Sequence, residues 1–67
     1  MWVIMRQGEY DTEIYDLAEK EWYYNVHRDS LISSYIEAVA ISQTLGFKCE
    51  VVNVNSIFSG RRMESVI

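Results

Sequence analysis

The chain combines a small size with a high apolar content and a modest negative charge. It has 67 residues, of which 49% are apolar and 13% aromatic, and its formal net charge is −4. This composition excludes a disordered chain, and a domain this short buries only roughly 60% of the surface of its unfolded form. Small domains usually depend on disulfides, metal or oligomerisation. A single cysteine, Cys49, excludes an internal disulfide and a cysteine-rich metal site, so we expect one compact domain over 1–67 that forms a homo-oligomer.

The cellular location is predicted from features that the sequence lacks. No apolar run approaches the roughly 20 residues that span a bilayer. The apolar residues 1–5 lack the basic flank and the cleavage site of a signal peptide. Together with the single cysteine, these features predict a protein without membrane contact in a reducing, cytoplasmic compartment.

The negative charge belongs to one segment. Residues 9–21 contain six carboxylates and one lysine, whereas the charges of residues 22–67 cancel. The chain has no basic stripe that would neutralise phosphates and release their counterions, so direct binding to nucleic acid is not expected.

The first predicted element is a buried strand at residues 2–5, because this stretch is apolar and partly β-branched and a turn residue, Gly8, follows it.

The acidic segment that comes next has two interpretations. As a helix over about 12–24, it would place Ile14 and three further apolar residues at helical spacing, with Asp11 as its cap.

The second interpretation of the acidic segment is a hairpin, with strands at 13–16 and 21–26 around a turn at 17–20. Alternation would then place four apolar side chains on one side of the hairpin: Ile14, Trp22, Tyr24 and Val26. We favour the hairpin, because three consecutive aromatic residues followed by Asn-Val fit a strand better than a helix end.

The clearest predicted element is a helix over residues 30–45. Asp29 or Ser30 would be its N-cap, and Gly46 stands where a left-handed residue often ends a helix. Phe47 would fold back on the last turn.

This helix has an unusually broad apolar arc. At 100° per residue the arc comprises Leu31, Ile32, Tyr35, Ile36, Ala38 and Val39, and Ile41 lies in the middle of the opposite, polar arc. The arc is wider than one sheet face needs, which predicts that the helix meets a second surface. We therefore predict oligomer contacts at Tyr35 and Ile41.

The last predicted strand covers residues 47–54, with Val52 and Val54 on one face and Cys49 and Val51 on the other. Apolar residues on both faces are typical of a central or covered strand.

The elements together predict an α+β fold. We expect an antiparallel or mixed sheet of about three to four strands, packed by one main helix, in the order β-(ββ)-α-β. Residues 59–67 would form a flexible or oligomer-contacting tail.

The carboxylates do not fit a metal site. Counted from Asp11, a calcium loop needs Gly at its sixth position and Glu at its twelfth, where this chain has Asp16 and Trp22. Acid–base chemistry by two carboxylates needs a pocket, which so small a domain seldom encloses. The simplest alternative is a set of solvated charges that keep a strand edge from pairing with other chains.

Cys49 and His27 are the only candidates for a nucleophile and its base, and they would need mutual contact and a third orienting group. Cys49 lies in an apolar strand, where cysteine usually packs as a small hydrophobe. His27 is expected to end the preceding strand or to bond backbone near the helix start. We therefore predict no enzyme, no metal and no cofactor.

The aromatic trio at 22–24 is the most informative group. On a strand, Tyr23 points away from its two neighbours and would stay outside, beside carboxylates. Exposed aromatic residues of this kind are typical of protein-contact surfaces, although core or ordinary surface positions are the alternative. The predicted partner-binding residues are Asp11, Glu13, Asp16, Glu19, Glu21, Trp22, Tyr23 and Tyr24.

The chain is short, acidic, proline-free and rich in aromatic residues. In this general character it resembles the small accessory proteins encoded by phages, many of which bind and block a host enzyme or defence component. The resemblance implies a non-enzymatic inhibitor of a host defence or nucleic-acid-processing enzyme, steered to its partner in the host cytoplasm by charge. The alternative is a homo-oligomer that sequesters a small anionic ligand, such as a nucleotide signal, between subunits at Arg61 and Arg62.

Overall fold

A computed structural model of the protein describes residues 1–46 and 48–56. The elements in chain order are β1 (Trp2–Gln7), β2 (Thr12–Asp16), β3 (Glu21–Tyr23), a 3₁₀ turn (Arg28–Ser30), α1 (Tyr35–Leu45) and β4 (Glu50–Asn53). The four strands form one antiparallel sheet in the order β3-β2-β1-β4. This architecture confirms the predicted α+β fold and its element order.

The central strand β1 carries the most deeply buried side chains, Val3 and Ile4, both 0% exposed. Because successive side chains of a strand point to opposite faces, the two residues belong to different apolar clusters. The helix-side cluster is built around Ile4, Tyr15, Ile32 and Ala38, and the opposite cluster around Val3, Ile14 and Val54.

The predicted hairpin is confirmed, with β2 and β3 joined by the turn at 17–20. The predicted facing of its side chains is wrong. The register pairs Ile14 with Tyr23 and Tyr15 with Trp22, and directly paired residues share a face. Ile14 and Trp22 therefore lie on opposite faces, and Tyr24 lies beyond the end of the strand.

The helix begins at Tyr35 instead of residue 30, and its N-cap is Ser34, whose hydroxyl accepts the Glu37 N–H at 3.3 Å. The preceding segment is extended because Ile32 exchanges two backbone hydrogen bonds with Trp2, at 2.7 and 2.8 Å. This pairing satisfies the backbone hydrogen-bonding groups of Trp2, which lies on the part of β1 that β2 does not reach. It outweighs the helical tendency of the segment, as tertiary contacts commonly do.

The later start also changes the face that the helix buries. Ala38 is buried, and Ile41 and Leu45 pack half-buried against the helix-side cluster. The prediction that Ile41 points outward is therefore wrong. Leu31 and Ile32 precede the helix and do not contribute to its apolar arc, so the spacing of Ala38, Ile41 and Leu45 sets the inner face.

The helix ends at Leu45, and its C-cap is Gly46, whose φ of 121° and ψ of 163° lie outside the left-handed helical region but are still readily adopted by glycine. The predicted fold-back of Phe47 lies outside the described residues.

Strand β4 is shorter than predicted and lies at an edge of the sheet, so of the two predicted possibilities, central or covered, the covered one applies. Its faces are as predicted, with Cys49 and Val51 toward the helix-side cluster and Val52 and Val54 toward the opposite cluster. Both faces of this edge strand are thus covered. The predicted tail at 59–67 lies beyond the last described residue. Among the described residues, no helix has both the length and the apolar content that spanning a membrane requires.

Lys20 in the β2–β3 turn has a φ of 57°, a conformation that costs a residue with a side chain roughly 1–2 kcal/mol. We expect Lys20→Gly to raise the free energy of unfolding by about 0.5–1 kcal/mol, since the relief of this strain exceeds the entropy that glycine adds to the unfolded chain. Urea denaturation measures the change. Ala18→Gly, at an exposed residue of the same turn without positive φ, is the control and should lower stability; a loss in both variants would contradict strain at Lys20.

Candidate functional site

The carboxylates of the acidic segment differ sharply in exposure. Asp16 is 3% exposed, and the side chain of Glu13 is 17% exposed. Four further carboxylates are exposed: Glu9, Asp11, Glu19 and Glu21. Only these four are free to meet a partner.

The Asp16 carboxylate stabilises the β2–β3 turn by hydrogen bonds. One oxygen, Oδ1, accepts the backbone N–H groups of Ala18 and Glu19, each at 2.9 Å, and Oδ2 lies 3.4 Å from His27 Nδ1. The Glu19 N–H is the largest contribution that holds the pKa of Asp16 below its ordinary value, and His27 and the Ala18 N–H add to it, against the opposing effect of burial. The Asp16 carboxylate is buried and committed to this turn, which disfavours its predicted contact with a partner.

Glu13 and Trp22 are engaged within the chain. Glu13 Oε1 accepts from Arg6 Nε at 2.7 Å, and the Arg6 guanidinium lies 4.1 Å from the centre of the Trp22 ring. Trp22 in turn meets Tyr15 edge-on, with ring centroids 5.1 Å apart. This stack covers the helix side of the hairpin and leaves both residues half-buried, which disfavours their predicted contact with a partner.

Tyr23 lies on the face opposite to Trp22, as predicted, but it is half-buried instead of fully exposed. Its ring centroid is 4.6 Å from that of His27. Burial raises the pKa of the Tyr23 hydroxyl, and the negative charges of Glu19, Glu21 and Asp16 raise it further. Tyr23 therefore contributes to the packing of this corner more than to an outer surface.

The β1–β2 connection presents a tyrosine that the sequence reasoning missed. In this connection, the Tyr10 turn (residues 8–11), Tyr10 is 83% exposed and stands between the exposed Glu9 and Asp11. The chain has five tyrosines, and composition alone does not distinguish them. The signal that could have found Tyr10 is its place in a short polar stretch after Gly8, between two predicted strands.

The Tyr10 turn is tightly closed. The Gly8 N–H donates to the Asp11 carbonyl at 2.9 Å, and the Asp11 carboxylate accepts the Thr12 N–H at 2.7 Å. A Cβ atom at Gly8 would lie 2.5 Å from Glu13 Cγ and 2.6 Å from the Asp11 carbonyl oxygen, so only glycine fits. The backbone that carries Tyr10 is therefore held in a defined shape.

A second exposed group, Glu19 and Glu21, lies at the other end of β2 from the Tyr10 turn. Tyr24, which is 48% exposed, is not part of this group, because it follows Tyr23, the partner of Ile14, and so lies toward the start of β2. Five residues of strand separate the two groups by about 17 Å at roughly 3.3 Å per residue. The acidic segment thus forms two separate sites and not one continuous ribbon.

The described residues with catalytic potential lie apart from each other. His27 contacts Asp16 and Tyr23 on one face of the sheet, whereas Cys49 packs half-buried in the cluster on the other face. The fully buried Ser30 hydroxyl accepts the backbone N–H of His27 at 3.1 Å instead of meeting the imidazole. Among residues 1–46 and 48–56, no three His, Cys, Asp or Glu side chains cluster closely enough to hold a metal ion.

A cleft of about 540 Å³ lies between the Tyr10 turn and the end of α1, and its lining includes Arg6, Glu13, Leu45, Lys48 and Cys49. Charges of both signs line it, and Arg6 is already paired with Glu13. This arrangement gives an anionic ligand no clear advantage.

The alternative ligand site predicted at Arg61 and Arg62 lies outside the described residues. No family model, no curated protein and no solved structure matches the chain.

Proposed function

We propose that this protein is a non-enzymatic binding protein that uses the Tyr10 turn to occupy a basic surface of another protein. A small inhibitor of the phage type, directed at a host defence or nucleic-acid-processing enzyme, is the specific form of this proposal. The observation that carries it is the 83% exposure of Tyr10 between two exposed carboxylates on a closed turn.

Tyr10 has the properties of an anchor residue. Tyrosine supplies a large contact area with only two side-chain torsions to order, so its entropic cost on binding is low. Tyrosine is also enriched among the residues that dominate binding energy. Since one backbone hydrogen bond and one hydrogen bond from the Thr12 N–H to the Asp11 carboxylate close the turn, little backbone entropy is lost when a partner encloses the ring.

The charge distribution supports a basic partner. The described residues include nine carboxylates against four lysine and arginine side chains, and Glu9 and Asp11 flank the proposed anchor. Exposed carboxylates attract a basic surface over a distance of about 8–10 Å at ordinary ionic strength. A groove that binds nucleic acid is basic, and carboxylates on this turn would compete there with phosphates.

The test begins with capture of the partner from a host lysate by the immobilised protein, followed by mass spectrometry. Binding kinetics are then measured on the purified partner. Tyr10→Ala should raise the dissociation rate roughly 30-fold or more, the loss of an anchor worth about 2 kcal/mol. The double variant Glu9→Gln/Asp11→Asn should slow association several-fold and flatten its dependence on salt.

Matched controls separate the Tyr10 turn from general effects. Tyr24→Ala removes an exposed tyrosine that follows β3 instead of β1, and Glu37→Gln/Glu50→Gln neutralises two exposed carboxylates outside the acidic segment. Both controls should bind like the wild type. Equal losses in Tyr24→Ala and Tyr10→Ala, or a partner without a basic surface, would contradict the proposal.

A further inference from the structure

The sheet has a second apolar face, on the side away from α1. Val3 and Ile14 lie at its centre and are 0% and 6% exposed. Four half-buried apolar side chains surround them: Met5, Val26, Leu31 and Val52. In the described part of the chain, Val54 and the connection between β3 and α1 cover this face, whereas α1 packs on the other one. The half-buried side chains would gain stability if a further segment removed them from water.

The chain turns onto this face directly after β4. Residues 54–56 are helical; Val54 is 6% exposed and belongs to the opposite cluster, and Asn55 and Ser56 are exposed. Asn53 Oδ1 accepts the Asn55 N–H at 2.9 Å, which is the bond by which an N-cap residue starts a helix. Because each carbonyl of an α-helix accepts the N–H four residues later, a helix that starts here depends on residues beyond 56.

The sequence that follows matches the buried side of such a helix. Positions 57 and 58 are isoleucine and phenylalanine. They follow Val54 at spacings of three and four, which place side chains on one helix face. The helix face that directs Val54 into the opposite cluster is therefore the face that carries Ile57 and Phe58.

Geometry and covalent linkage together favour this segment as the occupant of the face. The Val54 N–H donates to the Met1 carbonyl at 3.0 Å, so Val54 stands beside the start of β1. Four residues of helix advance about 6 Å, and neighbouring strands are about 4.8 Å apart, so one helical turn is long enough to cross a strand. A segment joined directly to its site also meets it at a higher effective concentration than a separate molecule does.

We propose that the apolar face opposite α1 is a docking site for the chain's own residues 57 and 58. They continue the helix that Asn53 caps and pack both side chains against the opposite cluster, so that the sheet lies between two helices. The contact does not involve the Tyr10 turn, and its failure would leave the proposed function unaffected.

Urea denaturation, followed by tryptophan fluorescence, tests the contribution of Ile57. Ile57→Ala should raise the ratio of unfolded to folded protein in water roughly tenfold or more, because it removes a side chain from an apolar contact. Ile36→Ala makes the same substitution at a residue that is 81% exposed, and it should change the ratio by no more than about two- to threefold. Equal effects of the two variants overturn the proposal.

Nuclear Overhauser effects measured on the full chain test the position of Phe58. Its ring protons should give effects to methyl groups of the opposite cluster, such as those of Val3 and Ile14. A ring that gives no effect to this cluster, or gives effects only to Leu45 and its neighbours on the other face, overturns the docking. A mixture of isotope-labelled and unlabelled protein identifies the source of the ring: effects found only between different copies would make a second copy the occupant and overturn the contact within one chain.

Discussion

Replacement of Ile4 by alanine is expected to remove much of the stability of the protein. Ile4 is 0% exposed at the centre of the helix-side cluster. Truncation of such a residue costs about 2–5 kcal/mol, the lost burial of the side chain together with the cavity left behind. A domain of this length has roughly 3–10 kcal/mol in total, at about 0.05–0.15 kcal/mol per residue. The loss is therefore a large share of the total, and the urea concentration at the unfolding midpoint should fall in proportion.

Ile4→Val is the matched variant for this prediction, since it removes one methylene and should cost only about 0.5–1.5 kcal/mol. Urea denaturation followed by tryptophan fluorescence measures both changes. If Ile4→Ala cost no more than Ile4→Val, the cluster around Ile4 would be able to close over the gap, and its tight packing would be refuted.

Asp16→Asn is expected to lower the melting temperature at pH 7 by several degrees, and this loss should depend on pH. The pKa of Asp16 in the folded state is lowered from 3.8, chiefly by the Glu19 N–H. A lowered pKa means that the ionised carboxylate favours the folded state, so the stabilisation is fully present above the unfolded pKa. It is lost as the pH falls through the lower, folded value.

Thermal unfolding of wild type and Asp16→Asn from pH 7 to pH 2 measures this difference. All other carboxylates titrate in both proteins, so the difference between them isolates Asp16. The difference should be constant down to about pH 5, shrink as the pH falls through 3.8 and disappear at lower pH. A difference that persists unchanged at pH 2 would show that the charge of Asp16 is irrelevant and that only the shape of its side chain matters.

The strands could be predicted from the sequence because local patterns of apolar and aromatic residues favour them. The apolar run at residues 2–5 favours a strand, and the aromatic trio at 22–24 favoured the hairpin over the helix that the acidic segment also allowed. The sheet face on which Trp22 lies could not be predicted in this way. It follows from the pairing of Tyr15 with Trp22, and a shift of one residue in that register would reverse every side chain of the strand.

The start of the helix was misplaced because two serines compete as N-cap. Ser30 and Ser34 are both suitable cap residues, and Leu31 and Ile32 continue an apolar helical pattern. The choice between them is made by a distant residue, since Trp2 pairs with Ile32 and holds it extended. No pattern within the segment itself contains that information.

The candidate site could be predicted from the sequence only in part, for a similar reason. Charge pointed to the acidic segment, but exposure decides which of its residues can meet a partner. Asp16 is drawn inward by two N–H groups of its own turn, and Glu13 by Arg6 of the neighbouring strand. Tyr10 is left outside because it stands in the connection between β1 and β2, beyond both strand ends.

The place of β1 at the centre of the sheet has a consequence for the timing of folding. On one side β1 pairs with β2, which follows it directly, but on the other it pairs Ile4 with Val51 across most of the described chain. Such distant pairings slow folding, because the loop must close before the contact is gained. During synthesis, β1 and β2 can meet early on the ribosome, yet one edge of β1 stays open until residue 53 has emerged. Over that interval the nascent chain exposes an unpaired, apolar strand edge of the kind that chaperones bind.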